Sequence, residues 1–210
     1  MTTTQYTALA AAVSAEIEIS RSRFLCTLTP VTSDAEARAV WAGTKEKLPD
    51  ARHHCLALVI GPDRMLRRSS DDGEPSGTAG APMLDVLIGA EVSDVVAVVT
   101  RWFGGTLLGT GGLIRAYSDS VRGALKQARL VRRELMIEQT LTVDVASAGA
   151  VESELRRRGF SIVDADWGAD VTLTVAADSP TAATLAGVLA SMTAGTVVPR
   201  PHGTRWVSAT

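Results

Sequence analysis

Cysteine is scarce in this sequence: Cys26 and Cys55 are the only two among 210 residues. Nothing around them has the paired spacing of a structural zinc site. Both sit in apolar, strand-like contexts, FLCTL and HCLALVI, where a thiol behaves as a small buried hydrophobe and is expected to stay reduced. Aromatic residues are also few, with four Trp, two Tyr and three Phe, so the core must be mainly aliphatic. Neither sign of charge dominates. With 21 Lys and Arg against 23 Asp and Glu, the net charge of −2 gives no chain-wide positive field to draw in nucleic acid or anionic membrane. Any such attraction must come from a local patch. A long hydrophobic run is missing as well. The apolar stretch at 8–13 is too short to span a bilayer and has no basic segment before it, so neither secretion nor anchoring is expected, and the predicted location is cytoplasmic.

What is present is an ordinary globular composition, 46% hydrophobic and 21% charged, which excludes disordered, collagen-like and coiled-coil chains. Its length admits one large domain or two small ones. Glycine is the unevenly spread residue. Nine of the 18 fall between Gly73 and Gly112.

Residue patterning gives a coarse order of elements. Residues 15–28 form two β-branched runs around Ser20 and Ser22, predicting a hairpin. Ser33-Asp34-Ala35-Glu36 has the form of a capping box, opening a helix that Pro49 ends. A buried strand is predicted at 55–60 and a returning strand at 64–68. A helix opens near Ala81-Pro82 and stops at Gly89, and the apolar run 95–99 predicts a strand covered on both faces. After Gly112 a long amphipathic helix is expected, with Leu113, Ile114, Tyr117, Val121, Ala124 and Leu125 inward. From about Glu134 the order is strand, helix, strand, strand, an alanine-rich helix from Pro180 to Gly195, and a last strand. That βαββαβ order is ferredoxin-like and places a domain boundary near Arg133.

Two glycine-rich segments stand out. The first, at 69–80, carries Asp71, Asp72 and Glu74 with the hydroxyls of Ser76 and Thr78. Such oxygens suit a hard divalent cation or a positioned water, and they equally suit a solvated loop bonded to its own backbone. The second holds Gly104, Gly105, Gly109, Gly111 and Gly112 just before the expected helix. Exposed N–H groups at a helix start fit a phosphate or carboxylate, although neither a Walker loop nor a dinucleotide fingerprint is present. Close approach of backbones explains glycines there equally well. Arg101 precedes this segment, and Arg115, Arg122, Lys126 and Arg129 recur along one stripe of the helix, able to track a nucleic-acid backbone or simply to be solvated.

Weaker candidates lie elsewhere. His53 and His54 are adjacent on a strand and point to opposite faces, so they do not share a metal. His53 and Cys55 share a face, as a nucleophile pair, as half of a metal site or, more ordinarily, as plain strand packing. Arg156, Arg157 and Arg158 crowd a helix end where cations suit the dipole.

The segments Ser22-Arg23-Phe24, Ala51-Arg52-His53-His54-Cys55-Leu56-Ala57, DDGEPSGTAGAPML at 71–84 and VVTRWFGGTLLGTGGLIRAY at 98–117 resemble the Impact family, with its bacterial, YigZ-like members. The resemblance covers about residues 14–130. Trp102 departs from the tyrosine many members carry but keeps an aromatic ring. The resemblance implies an α+β protein of two domains: 14–133 with the ribosomal protein S5 domain 2-like fold, and 134–210 similar to the last, ferredoxin-like domain of elongation factor G. Eukaryotic Impact proteins regulate translation by binding a regulator of an initiation-factor kinase. The resemblance carries over no catalytic residues, and no cofactor is expected.

The expectation is a non-enzymatic cytosolic binding protein whose partner is RNA, the ribosome or a translation-associated protein. Arg101, Arg115, Arg122 and Lys126 would contact phosphates, and the second glycine segment would add backbone donors. Two alternatives stand: a metal-assisted enzyme acting on a phosphorylated small molecule or nucleotide, and a pure protein adaptor. The sequence does not set the oligomeric state. Split at 133, the charge becomes +2 for the first part, from 16 basic against 14 acidic residues, and −4 for the second, from 5 against 9.

Overall fold

The computed structural model of the chain describes residues 3–209. They separate into two compact units that divide between Arg132 and Arg133. The first unit holds β1 (Gln5–Leu9), β2 (Val13–Ile19), β3 (Ser22–Pro30), α1 (Asp34–Lys47), β4 (His53–Ile60) and β5 (Leu66–Ser70). It continues through α2 (Gly80–Gly89), β6 (Val92–Ser93), β7 (Val95–Trp102) and α3 (Gly109–Gln127). Strand β8 (Leu130–Asp144) crosses the division. Then follow α4 (Val145–Arg157), β9 (Ser161–Trp167), β10 (Asp170–Ala177), α5 (Ser179–Ala182), α6 (Leu185–Thr193) and β11 (Arg200–Ser208). The fold is α+β in a two-domain arrangement.

In the first unit the main sheet has the order β2-β3-β7-β4-β5, and every neighbouring pair is antiparallel. Strands β4 and β7 are central and read as continuous apolar runs because both faces of the sheet are covered. On one face, Phe24, Cys26, Cys55, Val95, Ala97 and Val99 pack under Met83 and Leu87 of α2 and Leu113, Ala116, Tyr117, Val121 and Ala124 of α3. On the other, Leu56, Leu58, Val96 and Val98 pack against Ala37, Val40 and Trp41 of α1. The period of two along each strand decides which side chain joins which layer. Pairing of His53 with Arg101, and of Arg101 with Phe24, sets these three side by side in one row across the sheet. In the next row Val99 stands between Cys26 and Cys55, so the thiols lie two strands apart, out of reach of a disulfide.

The second unit follows the expected βαββαβ order, with strands arranged β11-β8-β10-β9. Its own core gathers Leu141, Val143, Val151, Leu155, Leu173, Leu185 and Leu189.

Several details depart from the sequence pattern. Helix α3 begins at Gly109, not after Gly112. Glycine costs a helix through backbone entropy and not through a lost donor, and at Gly109 it supplies the positive φ from which the helix opens. Arg129 falls beyond the helix, and Ile114, expected inward, is 40% exposed. The alanine-rich segment forms two helices, α5 and α6. Thr184 turns its hydroxyl back to the Thr181 carbonyl where the first one ends. β9 runs on to Trp167, and Gly168 makes the turn by donating to the Asp170 carbonyl. The short strands β1 and β6, which pair in parallel, carry no alternation long enough to show in sequence.

Candidate functional site

The carboxylates of the first glycine-rich segment are brought to three different places. Asp71 accepts from Gly80 N (2.8 Å) and Ala79 N (3.0 Å) on one oxygen and from Gly77 N (2.8 Å) on the other. It therefore caps α2, whose own cap residue, Ala79, offers no side-chain bond. Burial raises the Asp71 pKa, but these N–H groups outweigh it and hold the carboxyl below its ordinary value. Asp72 turns toward α1, accepting from Lys45 Nζ (2.6 Å) and the His54 backbone N–H (2.7 Å). Glu74 turns inward, where one oxygen accepts from Arg101 Nη1 (2.7 Å) and from the Tyr117 hydroxyl (2.7 Å). Thr78 is buried and donates to the Pro75 carbonyl at 2.6 Å, and Ser76 is exposed. Among the described residues, no group of three or more His, Cys, Asp or Glu side chains is placed to hold a metal ion.

Arg101 needs correction. Expected to contact phosphates on a surface, its side chain is only 7% exposed and is paired with a Glu74 carboxylate that is 3% exposed. An inward position on β7, in the same face as Cys55 and Val99, takes it into the core layer, where only a countercharge makes burial tolerable. The guanidinium lies 5.4 Å from the Phe24 ring centroid and 5.8 Å from that of Phe103. Its Nε hydrogen is buried with no partner among the described residues.

The two histidines face opposite ways, as the strand period requires. His53 Nδ1 donates to the Asp72 carbonyl at 2.9 Å, and His54 Nδ1 bonds with the Thr100 hydroxyl at 3.0 Å beneath α1. Burial, assisted by Lys45, lowers the His54 pKa despite the opposing pull of Asp72. Cys55 donates its thiol hydrogen to the Asp71 carbonyl at 3.1 Å, and burial pushes its pKa up to about 12, far from a reactive thiolate.

The glycines divide by task. Gly104 passes so close to the turn between β2 and β3 that a Cβ would lie 2.0 Å from the Arg21 carbonyl carbon. The Gly104 N–H donates to the Ser22 hydroxyl at 3.1 Å, locking that crossing. Gly105 and Gly109 both take positive φ, one turning the exposed loop and the other opening α3, and Gly111 and Gly112 follow in its first turn. The two glycine-rich segments converge. Between them lies a pocket of about 400 Å³ lined by Arg52, His53, Glu74, Arg101, Phe103 and Leu108, together with Pro75, Gly109 and Thr110.

On α3 the inward residues Leu113, Ala116, Tyr117, Ser120, Val121 and Ala124 are buried, and Arg115, Arg122 and Lys126 stand exposed on the other side. Arg122 makes a surface pair with Asp119 at 2.9 Å. A second groove, about 680 Å³, runs between α2 and α3 past Ile114, Arg122 and Lys126.

Fold and site together define a two-domain α+β protein with a loop-lined pocket and a basic helix face in its first unit. The model of the Impact N-terminal domain matches residues 20–125, and a domain of unknown function, DUF1949, matches 141–196. The chain is 40% identical to the IMPACT family member YigZ of Escherichia coli over 90% of this chain and 93% of that one. It is 43% identical to the IMPACT family member YvyE of Bacillus subtilis over 74% and 72% of the two chains. A solved structure described as a hypothetical protein superposes with a TM-score of 0.69 at 37% identity, covering 95% of this chain and 98% of the other. The chain belongs to the Impact family. Among the described residues, no helix is long and apolar enough to cross a membrane.

Proposed function

We propose that this protein is a cytosolic, non-enzymatic binding protein of the translation apparatus, and that its first unit engages RNA, free or in the ribosome, through the outer face of α3. The observation that carries the reading is the exposure of Arg115, Arg122 and Lys126 along one side of a helix whose opposite side is buried. From Arg115 to Lys126 the stripe spans about 16 Å at the ordinary helical rise, enough to follow successive phosphates. Family membership supports the link to translation, and the excess of basic residues in the first part of the chain agrees with it. In this reading the two units are an S5 domain 2-like domain and a ferredoxin-like domain, and Arg101 supports the face from within without touching the partner.

The enzymatic alternative has less to rest on. Each carboxylate of the first glycine-rich segment is engaged by protein donors at different sites, and among the described residues no gathered set is placed to ligate a metal. The test is binding of purified ribosomes and of single-stranded RNA as a function of salt. Binding should weaken steeply with salt, and changing Arg115 and Arg122 together to alanine should reduce the slope of log K against log salt by about one unit per lost phosphate contact. Absent or salt-insensitive binding would overturn the proposal.

A further inference from the structure

The pocket between the glycine-rich segments is not used by the reading above, which concerns the outer face of α3. Its polar side has three features. The first is the start of α3, where Leu108 occupies the cap position and gives no side-chain bond, leaving the opening N–H groups at Gly109, Thr110 and Gly111 uncapped. A helix N-terminus alone is not a site. The second feature is independent of it: Arg101 lines the same pocket, is more than nine-tenths buried, and keeps an Nε hydrogen that meets no acceptor among the described residues. Buried N–H groups almost always find partners, so an orphaned arginine N–H is an open donor of the kind an oxyanion satisfies. The third is Arg52, exposed at the rim, which adds a second cation to a lining whose one carboxylate, Glu74, is already committed to Arg101 and Tyr117.

The other side of the pocket is apolar. Phe103 is 49% exposed and Leu107 is 87% exposed, with Leu108 and Pro75 beside them. Exposed large apolar side chains on a pocket mouth are the usual mark of a surface that a ligand covers. A bare inorganic anion would satisfy the polar side and leave most of a space of about 400 Å³ empty. An anion carried on a ring fits both halves.

We propose that this pocket binds a small phosphate monoester of nucleotide size. The phosphate sits at the start of α3 between Arg101 and Arg52, and the ring lies against Phe103. A phosphate dianion presents three terminal oxygens, which matches donors arriving from a helix terminus and two guanidinium groups better than a carboxylate's two. Binding also gives the Arg101 Nε hydrogen the acceptor it lacks, once Phe103 shifts from its place over the guanidinium.

The experiment is calorimetric titration of the full chain at low salt with AMP, phenyl phosphate, inorganic phosphate and adenosine. AMP and phenyl phosphate should bind, inorganic phosphate should bind more weakly, and adenosine should give no heat. Thr110→Asp places a carboxylate in the first turn of α3, where it suits the helix dipole, so the fold and melting temperature should hold. AMP affinity should nevertheless fall by about tenfold or more through charge repulsion and loss of the donors. Arg52→Ala, at an exposed position, should weaken both phosphate esters, and Phe103→Ala should weaken AMP but not inorganic phosphate, because it removes the ring contact while uncovering the Arg101 guanidinium. The double change at Arg115 and Arg122 should leave AMP binding intact, which separates this site from the RNA face. Absence of AMP and phenyl phosphate binding, equal binding of adenosine, or an affinity that Thr110→Asp leaves unchanged would overturn the proposal.

Discussion

Arg101 and Glu74, 27 residues apart in the chain, form an ion pair of 2.7 Å with both side chains almost wholly out of solvent. Tyr117 donates to the same carboxylate oxygen and meets Phe24 edge-on at 5.3 Å between ring centroids, so one buried charge pair ties α3, β7 and the first glycine-rich segment to the core. Removing one member leaves an uncompensated charge inside. Glu74→Gln and Arg101→Gln should each cost about 3 kcal/mol or more in urea unfolding. The double variant should cost well under the sum, because neither charge is then stranded. Additive losses would show that the pair is not energetically coupled.

The Asp71 cap predicts an acid-sensitive segment. Its carboxyl is held below the ordinary range, so its contribution is complete above the unfolded value near 3.9 and is lost as pH falls through the lower folded value. Asp71→Asn should cost about 1–3 kcal/mol at neutral pH and speed amide exchange at Gly77, Ala79 and Gly80. Unchanged exchange at those three amides would refute the capping role.

His54 acts in a higher pH window. Burial lowers its folded pKa below the unfolded value near 6.5, so stability is fully present above that pH and declines as pH falls toward the folded value. The urea midpoint of the protein should drop between pH 7.5 and 5, and His54→Asn should flatten that dependence. An identical slope in the variant would show that another group sets it.

Glycines in the second segment should answer differently to alanine. Gly104→Ala drives a Cβ into the Arg21 backbone, which cannot swing aside as a side chain does, and should cost about 3 kcal/mol. Gly111→Ala meets no neighbour within 4 Å and lies in the first turn of α3 without positive φ, so it should stabilise by about 0.5–1 kcal/mol through the lost freedom of the unfolded chain. Equal effects at the two positions would mean that neither crossing nor helix propensity governs them.

Apolar periodicity determined a great deal. The β2–β3 hairpin, the doubly covered strand β7, the inward stripe of α3 and the βαββαβ order of the second unit all follow from which residues recur at intervals of two or of three and four. The long motifs at 71–84 and 98–117 carried the family. Local pattern has no access to partners that chain folding brings from afar. Nothing near Asp71 signals that it caps a helix eight and nine residues on, and nothing near Arg101 signals burial, because an arginine beside a glycine-rich segment reads as surface. Only the sheet register, by setting His53, Arg101 and Phe24 in one row, turned Arg101 toward Glu74 and Tyr117. The glycine cluster was visible from composition alone. Which glycines let two backbones cross, which open a helix, and that both segments meet at one pocket were decided by tertiary packing, since a missing Cβ acquires its meaning only from what lies beside it.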